Sequence, residues 1–372
     1  MTNATKKTPF NLETFLKRSW PIVLAGAVLV LLIAGVIFSL VLRGKTRNAQ
    51  TGQENSLLSP TSTTIDMNVV PRHLDGIPVP NGMEALMPVA VMIENSPDAR
   101  PLSGVSAARV VVEAPVEGGI TRFMVVYDAS STVEQIGPVR SARPYYVDLA
   151  DALNAVYVHV GGSAEALQKA TSLPGFRNLD EFFNGGFFWR SAKRAAPHNV
   201  YTRSELITKA VQKKEWEAGE FTPWRFLSEA TTSTERGNVT SVNVPYGGTF
   251  NVAWTYDEDT NRYIRRQAGI IQKDADGTVV SSTNVLILRS EEQVLDDYGR
   301  LKIRTTGSGK SVLFRSGKRF DVTWRRTAGE WFTFESVEGG EIFFEPGQTW
   351  ISIVTSAALL PATLDAASST NP

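Results

Sequence analysis

Cysteine is absent from this chain of 372 residues. Its absence excludes disulfide bridges, thiolate metal ligands, a cysteine nucleophile and a lipidated N-terminal cysteine. Histidine occurs only three times, without HExxH or a similar zinc-binding spacing, so the sequence predicts no transition-metal site. The nucleotide-binding patterns GxGxxG and GxxxxGK are also missing, and no cofactor is predicted.

Negative side chains outnumber positive ones in most of the chain. The 38 Lys and Arg balance the 38 Asp and Glu, but seven of the bases and one acid lie in the first 47 residues. The remainder therefore carries 31 positive and 37 negative side chains. An acidic region is a poor general binder of nucleic acid, so no nucleic-acid partner is predicted.

One long uncharged apolar run covers residues 21–42. As a helix it would extend roughly 33 Å, the thickness of a bilayer core. We expect a single-pass helix in the cytoplasmic membrane, with residues 1–20 in the cytoplasm and the large soluble region outside. A cleaved signal peptide is the alternative, although its apolar part is usually shorter and ends in small residues.

The segments on either side of the soluble region are polar. Residues 43–72 are rich in Asn, Gln, Ser and Thr, which predicts a flexible stalk that follows the membrane helix. Residues 361–372 are rich in Ala, Ser and Thr and are predicted to be a disordered tail.

The soluble region changes its pattern along the chain, and the predicted fold class is α+β. In residues 73–230, β-branched runs at 89–93, 109–113, 121–128 and 155–160 predict buried strands. Helices are predicted to begin near Pro144, Ser163 and Ser204. Residues 240–356 hold short strand-like runs separated by glycine turns, which predicts an all-β domain, barrel-like or sandwich-like.

Two arginines form the first candidate ligand site. Arg140 and Arg143 lie three residues apart, just before the predicted helix start at Pro144. Guanidinium groups beside a helix N-terminus suit phosphate or carboxylate. The alternative is that they pair with acids of the domain such as Asp148 or Glu113.

A glycine turn forms the second candidate. Gly161, Gly162 and Ser163 follow a strand and precede a helix, so their backbone N–H groups are predicted to receive an anion. A plain tight turn with Ser163 as the helix cap explains the pattern equally well.

A polar loop over residues 188–201 forms the third candidate, because loops of this composition often build binding sites. The loop contributes Arg190, His198 and Asn199 to the predicted ligand site, and it also holds Lys193, Arg194 and Tyr201.

His159 and His198 are the candidates for a general base. His159 lies in the middle of a predicted strand, where a hydrogen-bonded structural histidine is the alternative. Glu113 and Glu117 flank a turn and are candidates for a hard-cation site or an acid and base pair, with surface carboxylates as the alternative.

Nine stretches of the soluble region carry a family resemblance, namely LDGIPV (74–79), VMIEN (91–95), ARPLSG (99–104), VVEAPVEGGITRFMVVY (111–127), IGPVRSARPYYVDLA (136–150), VHVGGS (158–163), APHNVYT (196–202), GSGKSVLFRSGKRFDVTWRR (307–326) and EPGQTWISIV (345–354). They resemble a bacterial lipoprotein family of unknown function, the YerB-like family. The resemblance implies an extracytoplasmic protein with a mixed α/β domain followed by a β-rich domain, and no established activity. Lipoproteins of that family hold a lipidated cysteine, whereas this chain has residues 21–42 in its place.

The predicted function is binding of an anionic cell-wall precursor, glycan or phosphate ligand at the envelope. One alternative is an enzyme of phosphoryl or glycosyl-phosphate transfer, with His159 or His198 as base. Another is a scaffold that docks a protein partner of the envelope. Exposure of tryptophans on one β face would favour docking, and the candidates are Trp254, Trp324, Trp331 and Trp350.

Overall fold

The computed structural model describes residues 68–355. The predicted membrane helix at 21–42, residues 43–67 of the predicted stalk and the predicted tail at 361–372 lie outside this range. Within residues 68–355, no helix is both long and apolar enough to cross a bilayer.

The first part of the described chain contains the four helices and ten short strands. The helices are α1 (Pro144–Ala152), α2 (Ala164–Ser172), α3 (Glu181–Asn184) and α4 (Ser204–Lys213). The strands are β1 (Val69–Pro71), β2 (Pro78–Pro80), β3 (Pro88–Glu94), β4 (Val110–Pro115), β5 (Thr121–Asp128), β6 (Val156–His159), β7 (Arg177–Asp180), β8 (Trp189–Arg190), β9 (Val200–Tyr201) and β10 (Arg225–Phe226).

The second part has no α-helix among its described residues. Its strands are β11 (Ser241–Val244), β12 (Val252–Asp257), β13 (Arg262–Gln267), β14 (Ile270–Ile271), β15 (Ser281–Ser282), β16 (Asn284–Arg289), β17 (Glu292–Val294), β18 (Leu301–Ile303), β19 (Gly307–Arg315), β20 (Lys318–Arg326), β21 (Thr333–Ser336), β22 (Phe343–Phe344) and β23 (Thr349–Val354). The described fold is therefore mostly β with few helices, which confirms the coarse prediction of an α+β protein.

A single ten-stranded sheet joins the two parts. Its order is β21-β20-β19-β16-β23-β4-β5-β3-β6-β7. The junction is the parallel pair of β23 with β4, in which Trp350 is opposite Val111 and Ile351 is opposite Val112. The prediction of a self-contained barrel or sandwich for residues 240–356 is therefore wrong for five strands of that region, which extend the first part's sheet instead.

The ten-stranded sheet is covered on both faces, because alternate residues of its strands point to opposite sides. Val91 and Ile93 of β3 belong to a core that also includes Val242 and Trp254 of β11 and β12. Met92 belongs to the other core, which includes residues of α1 and α2. The strands read as continuous apolar runs because both of their faces are buried.

A smaller sheet of β11-β12-β13-β14, with β15 added on β13, covers the first of these faces. The fully buried Arg265 of β13 lies 2.9 Å from the fully buried Glu113 of β4. Arg265 also lies over the ring of Trp350, 4.6 Å from its centroid. The small sheet thus packs on the large one through an ion pair within an aromatic core.

Two sequence predictions of element ends are corrected. The stalk was predicted to reach residue 72, but β1 pairs with β2, and the buried Arg72 lies 2.6 Å from Asp75. Ser204 was predicted to cap a helix, but it is the first residue of α4, and its Oγ accepts a hydrogen bond from the Val133 N–H. The predicted cap at Ser163 is confirmed, since its side chain accepts from the Ala166 N–H.

Candidate ligand-binding cleft

The candidate site begins where β3 ends. The Glu94 N–H donates to the Pro138 carbonyl at 3.0 Å, and the Arg140 N–H donates to the Met92 carbonyl at 2.9 Å. These two hydrogen bonds hold the 136–140 segment against the end of the strand. They bring the Arg140 side chain beside the carboxylate of Glu94.

Glu94 is buried and has three polar neighbours. Its Oε1 accepts a hydrogen bond from Ser96 Oγ at 2.9 Å and lies 3.2 Å from Arg140 Nε. Its Oε2 lies 2.8 Å from Nδ1 of His198. Burying a carboxylate is costly unless cations or hydrogen-bond donors compensate it, and here they do, so Glu94 anchors the 188–201 loop to the strand end.

The contact with Glu94 also fixes the chemistry of the His198 ring. Nδ1 must carry a proton to donate to the carboxylate, which leaves Nε2 as the basic nitrogen of the neutral ring. The His198 side chain is 22% exposed and lies in the lining of a cleft. The pair has the arrangement of an oriented base.

This cleft has a volume of about 1210 Å³ and is lined by loops from both parts of the chain. Its basic residues are Lys193, Arg194 and His198. Trp189 and Tyr201 provide an aromatic surface, with ring centroids 6.0 Å apart and planes at 24°. The acidic residues of the lining are Asp98, Glu134, Asp274 and Asp276.

Arg194 is held in place without being neutralised. Its two terminal nitrogens donate to the carbonyls of Asp98 and Pro101, at 2.9 and 2.8 Å. Within the described residues neither Arg194 nor Lys193 forms an ion pair with a carboxylate. Backbone carbonyls orient a guanidinium but leave its full charge for a ligand.

Arg143 lies elsewhere and is neutralised. Its Nε and Nη2 donate to both oxygens of Glu117, at 2.7 and 2.6 Å. Burial raises the pKa of Glu117, but the hydrogen bonds and charge of Arg143 outweigh it, so the pKa lies below its ordinary value. Arg143 lines a separate cavity of about 480 Å³ together with Gly162 and Ser163.

The glycine turn is a structural turn. The Gly161 N–H donates to Asp180 Oδ1 at 2.8 Å, so this donor is already satisfied. Gly161 has φ +58°, and an added Cβ would lie 2.4 Å from the ring of Phe182. The Gly161 N–H is thus not available to an anion, which favours the tight-turn alternative.

Arg190 and Asn199 flank the cleft without lining it. Arg190 is exposed, donates to Asn199 Oδ1 at 3.3 Å and lies 3.1 Å from Glu181. The structure therefore divides the predicted ligand site. Only His198 lines the large cleft. Arg140 contacts the buried Glu94 instead, and Arg143, Gly162 and Ser163 line the smaller cavity.

His159 lies in the interior and lines neither of the two cavities. Its ring is fully buried, with Nδ1 2.8 Å from the Gly161 carbonyl and Nε2 2.6 Å from Asn178 Oδ1. Both nitrogens have protein partners, which favours the structural alternative over the catalytic candidacy of His159.

The predicted acid partners also differ from the observed ones. Glu113 pairs with Arg265 and Asp148 pairs with Lys169, rather than with Arg140 or Arg143. Glu113 is fully buried, so the surface alternative is wrong for this residue, and both of its oxygens accept from Arg265 rather than facing a free cation site. No group of three metal-ligating side chains occurs between residues 68 and 355.

The proposed docking face is not formed by the tryptophans named for it. All four are buried, namely Trp254, Trp324, Trp331 and Trp350. Three of them belong to the cores of the large sheet as fully buried side chains. These four tryptophans therefore do not form the exposed β face that would favour protein docking.

Sequence reasoning missed Glu94 and Asp274 and did not select Lys193 or Arg194. Glu94 ends an apolar run, VMIEN, and a charged residue directly after a buried strand was the available signal. Asp274 lies in a turn more than 70 residues beyond the 188–201 loop, so nothing local to it indicated the cleft.

Comparison with known proteins gives consistent results. Residues 74–217 match the N-terminal domain, and residues 242–351 the C-terminal domain, of a protein family of unknown function, DUF3048. YerB of Bacillus subtilis (strain 168), named as a candidate lipoprotein, is 35% identical over 289 residues, which are 76% of this chain and 85% of YerB.

A crystal structure of the Bacillus subtilis YerB protein superposes with a TM-score of 0.69 at 33% identity, covering 77% of this chain and 97% of that one. Both family domains and most of the length of a relative are therefore matched. The chain belongs to the DUF3048 family of proteins of unknown function, which it shares with YerB.

Proposed function

We propose that this protein is a membrane-tethered binding protein of the bacterial envelope, whose cleft holds an anionic cell-wall precursor, glycan or phosphate ligand. The observation that carries the proposal is the basic side of the cleft. Lys193 and Arg194 line it without a carboxylate partner among the described residues. Uncompensated cations in a concave site are the usual recognition elements for phosphate and carboxylate.

The aromatic side of the same cleft favours a ligand that includes a sugar. Trp189 and Tyr201 are stacked and both line the cavity. Such rings cover the apolar face of a pyranose, while nearby charges hold its anionic substituent. A volume of about 1210 Å³ is ample for a sugar that carries a phosphate.

The sequence and the relative both support tethering to the membrane. YerB is named as a candidate lipoprotein. This chain has no cysteine to lipidate, and residues 21–42 have the length and apolarity of a membrane helix. The proposal therefore places a single-pass helix at 21–42 and the cleft outside the cytoplasm. Protease added to intact spheroplasts is expected to remove the soluble region.

Ligand binding is tested by thermal stabilisation of the full-length protein in detergent micelles. The probes are inorganic phosphate, glucose 6-phosphate and soluble peptidoglycan fragments. A ligand that binds only the folded state at 100 times its Kd stabilises by about 2.7 kcal/mol. We expect at least one probe to raise the unfolding temperature in a concentration-dependent manner.

The decisive variant is Lys193→Ala with Arg194→Ala, which should weaken the bound probe by about tenfold or more, or about 1.4 kcal/mol. Lys213→Ala with Lys214→Ala is the matched control, because it removes two positive charges at the end of α4, outside the cleft lining. Stabilisation by no probe, or equal weakening in both variants, would contradict the proposal.

The second candidate function is phosphoryl or glycosyl-phosphate transfer in the same cleft. The specific observation that favours it is the 2.8 Å contact between His198 Nδ1 and Glu94 Oε2. An oriented imidazole serves as a general base, and Lys193 and Arg194 would stabilise developing negative charge.

The two functions separate in one variant. His198→Gln should abolish turnover of a probe yet leave its binding within about threefold, since a general base acts mainly in the transition state. A binding protein shows no turnover in the wild type with any probe. Release of free phosphate or free sugar by the wild type and not by the variant would favour the enzyme.

A further inference from the structure

One buried acid in the cleft differs from all the others. The described residues include seven buried carboxylate side chains. Six of them lie within 4.0 Å of an arginine or histidine nitrogen, namely Asp75, Glu94, Glu113, Asp128, Asp180 and Glu345. Asp274 is the seventh, and no ion pair reaches it within residues 68–355.

Asp274 is only half satisfied by hydrogen bonds. Its Oδ2 accepts from the Ser106 N–H at 2.8 Å and from Ser106 Oγ at 2.6 Å. Its Oδ1 is buried and has no hydrogen-bond partner among the described residues. The residue is 3% exposed and belongs to the lining of the large cleft.

This arrangement is costly for the empty protein. A carboxylate removed from water without a cation is destabilised by several kcal/mol or shifts toward its neutral form. Burial accordingly raises the pKa of Asp274, although its bonds to Ser106 act in the opposite direction. A ligand that brought a positive group to Oδ1 would relieve this cost, whereas a neutral ligand would not.

The rest of the lining argues against a metal ion as this positive group. Within residues 68–355 no set of three side chains could ligate one. Asp98 and Asp276 add negative charge to the same cleft, while Lys193 and Arg194 add positive charge. A cleft with unpaired positive and negative side chains suits a ligand that carries both a negative and a positive group.

We propose that Asp274 is a recognition residue for an ammonium group, and that the ligand of this cleft is a zwitterionic molecule, an anionic sugar that bears a free amine. The inference rests on the proposed function, because Lys193 and Arg194 hold the anionic end. It assigns to the second part of the chain a role in selecting the ligand.

A matched pair of probes tests this in the wild-type, full-length protein. Glucosamine 6-phosphate and glucose 6-phosphate differ only in the 2-amino group, and calorimetric titration is done at a pH where the amine is protonated. The amino sugar should bind about tenfold more tightly, the gain expected for one desolvated charge pair. Equal affinities for the two sugars would overturn the inference and leave the proposed function standing.

The Asp274→Asn variant then tests whether Asp274 causes the preference for the amino sugar. The amide keeps the shape and can still accept from Ser106, but it removes the charge, so the preference for the amino sugar should fall to less than twofold. Asp259→Asn is the control, because it makes the same change at an exposed turn outside the cleft lining. A preference that survives in Asp274→Asn would overturn the assignment.

Further measurements distinguish failure of the proposed function from failure of the ammonium assignment. If neither sugar phosphate binds while inorganic phosphate or a peptidoglycan fragment does, the inference fails and the proposed function stands. If no probe binds, or if binding is unchanged in Lys193→Ala with Arg194→Ala, the proposed function itself fails. Binding of Ca²⁺ alone that is lost in Asp274→Asn would overturn the ammonium assignment in favour of a metal ion. The unliganded Asp274→Asn protein should unfold at the same or a higher temperature than the wild type, whereas a structural acid would lose stability.

Discussion

Two clusters of basic residues in this protein differ in whether a carboxylate neutralises them. At the 480 Å³ cavity, both oxygens of Glu117 bind the Arg143 guanidinium. At the 1210 Å³ cleft, Arg194 binds two backbone carbonyls, and neither Arg194 nor Lys193 forms an ion pair with a described carboxylate. The same residue types therefore serve as a structural clamp in one place and as a candidate ligand site in the other.

The number of charged residues in a segment therefore does not show whether the segment forms a ligand-binding site. What distinguishes the clusters is compensation, because a charge already paired with an acid has little left to offer a ligand. Stability and ligand affinity should accordingly respond in opposite ways at the two places. Four substitutions test this, ordered by their expected effect on stability.

Glu94→Ala should be the most destabilising. It removes the buried acceptor of Ser96 and leaves Arg140 and His198 without their carboxylate. We expect a loss of about 2–4 kcal/mol in the free energy of unfolding, measured by urea titration. Because the 188–201 loop is released, probe binding should also fall. A stability loss below about 0.5 kcal/mol would show that Glu94 does not anchor the loop.

Arg143→Ala should cost less, about 1–2 kcal/mol, because its pair with Glu117 is partly exposed. The pKa of Glu117 is lowered in the folded state, so the pair stabilises above the unfolded pKa of about 4.3 and loses its effect as pH falls below it. The stability difference between wild type and variant should therefore shrink on acidification. Probe binding at the cleft should not change, and a tenfold loss there would break the comparison.

Ser163→Ala removes the N-cap of α2 and should cost about 1 kcal/mol. If the Gly161-Gly162-Ser163 turn is structural, as Asp180 indicates, the variant should bind every probe as the wild type does. Thermal unfolding and calorimetric titration of the same sample measure both effects. Reduced probe affinity with intact stability would restore the turn as a ligand site.

Lys193→Ala should change stability least, by less than about 0.5 kcal/mol, because this exposed ammonium has no carboxylate partner among the described residues. Its effect should instead be on affinity, with the bound probe weakened severalfold and with a smaller dependence of affinity on salt. Titrations at two ionic strengths measure this. Loss of stability without loss of affinity would reverse the roles assigned to the two clusters.

Much of the fold was predictable from local patterns. The runs at 89–93 and 121–128 became β3 and β5, because strands buried on both faces have no polar alternation to obscure them. Helix α1 begins at Pro144 as predicted, since proline suits the first turn of a helix. The candidate site was predicted less well, and of the eight proposed ligand residues only His198 lines the large cleft.

The reason is that pairing is a long-range property. Glu113 meets Arg265 across 152 positions, and Glu94 meets His198 across 104. No local pattern tells a paired arginine such as Arg143 from an unpaired one such as Arg194. The same holds for β23, whose sequence predicts a strand but not its parallel partner β4.

The sequence by itself determined the candidate membrane segment, the absence of cysteine chemistry and most of the strands, because length, composition and residue alternation are local quantities. Only the tertiary structure decided that both parts share one sheet, which charges neutralise one another, and that Asp274 lines the same cleft as Lys193. Those outcomes depend on burial and on contacts between distant segments, which fix where a charge is compensated and where it remains available to a ligand.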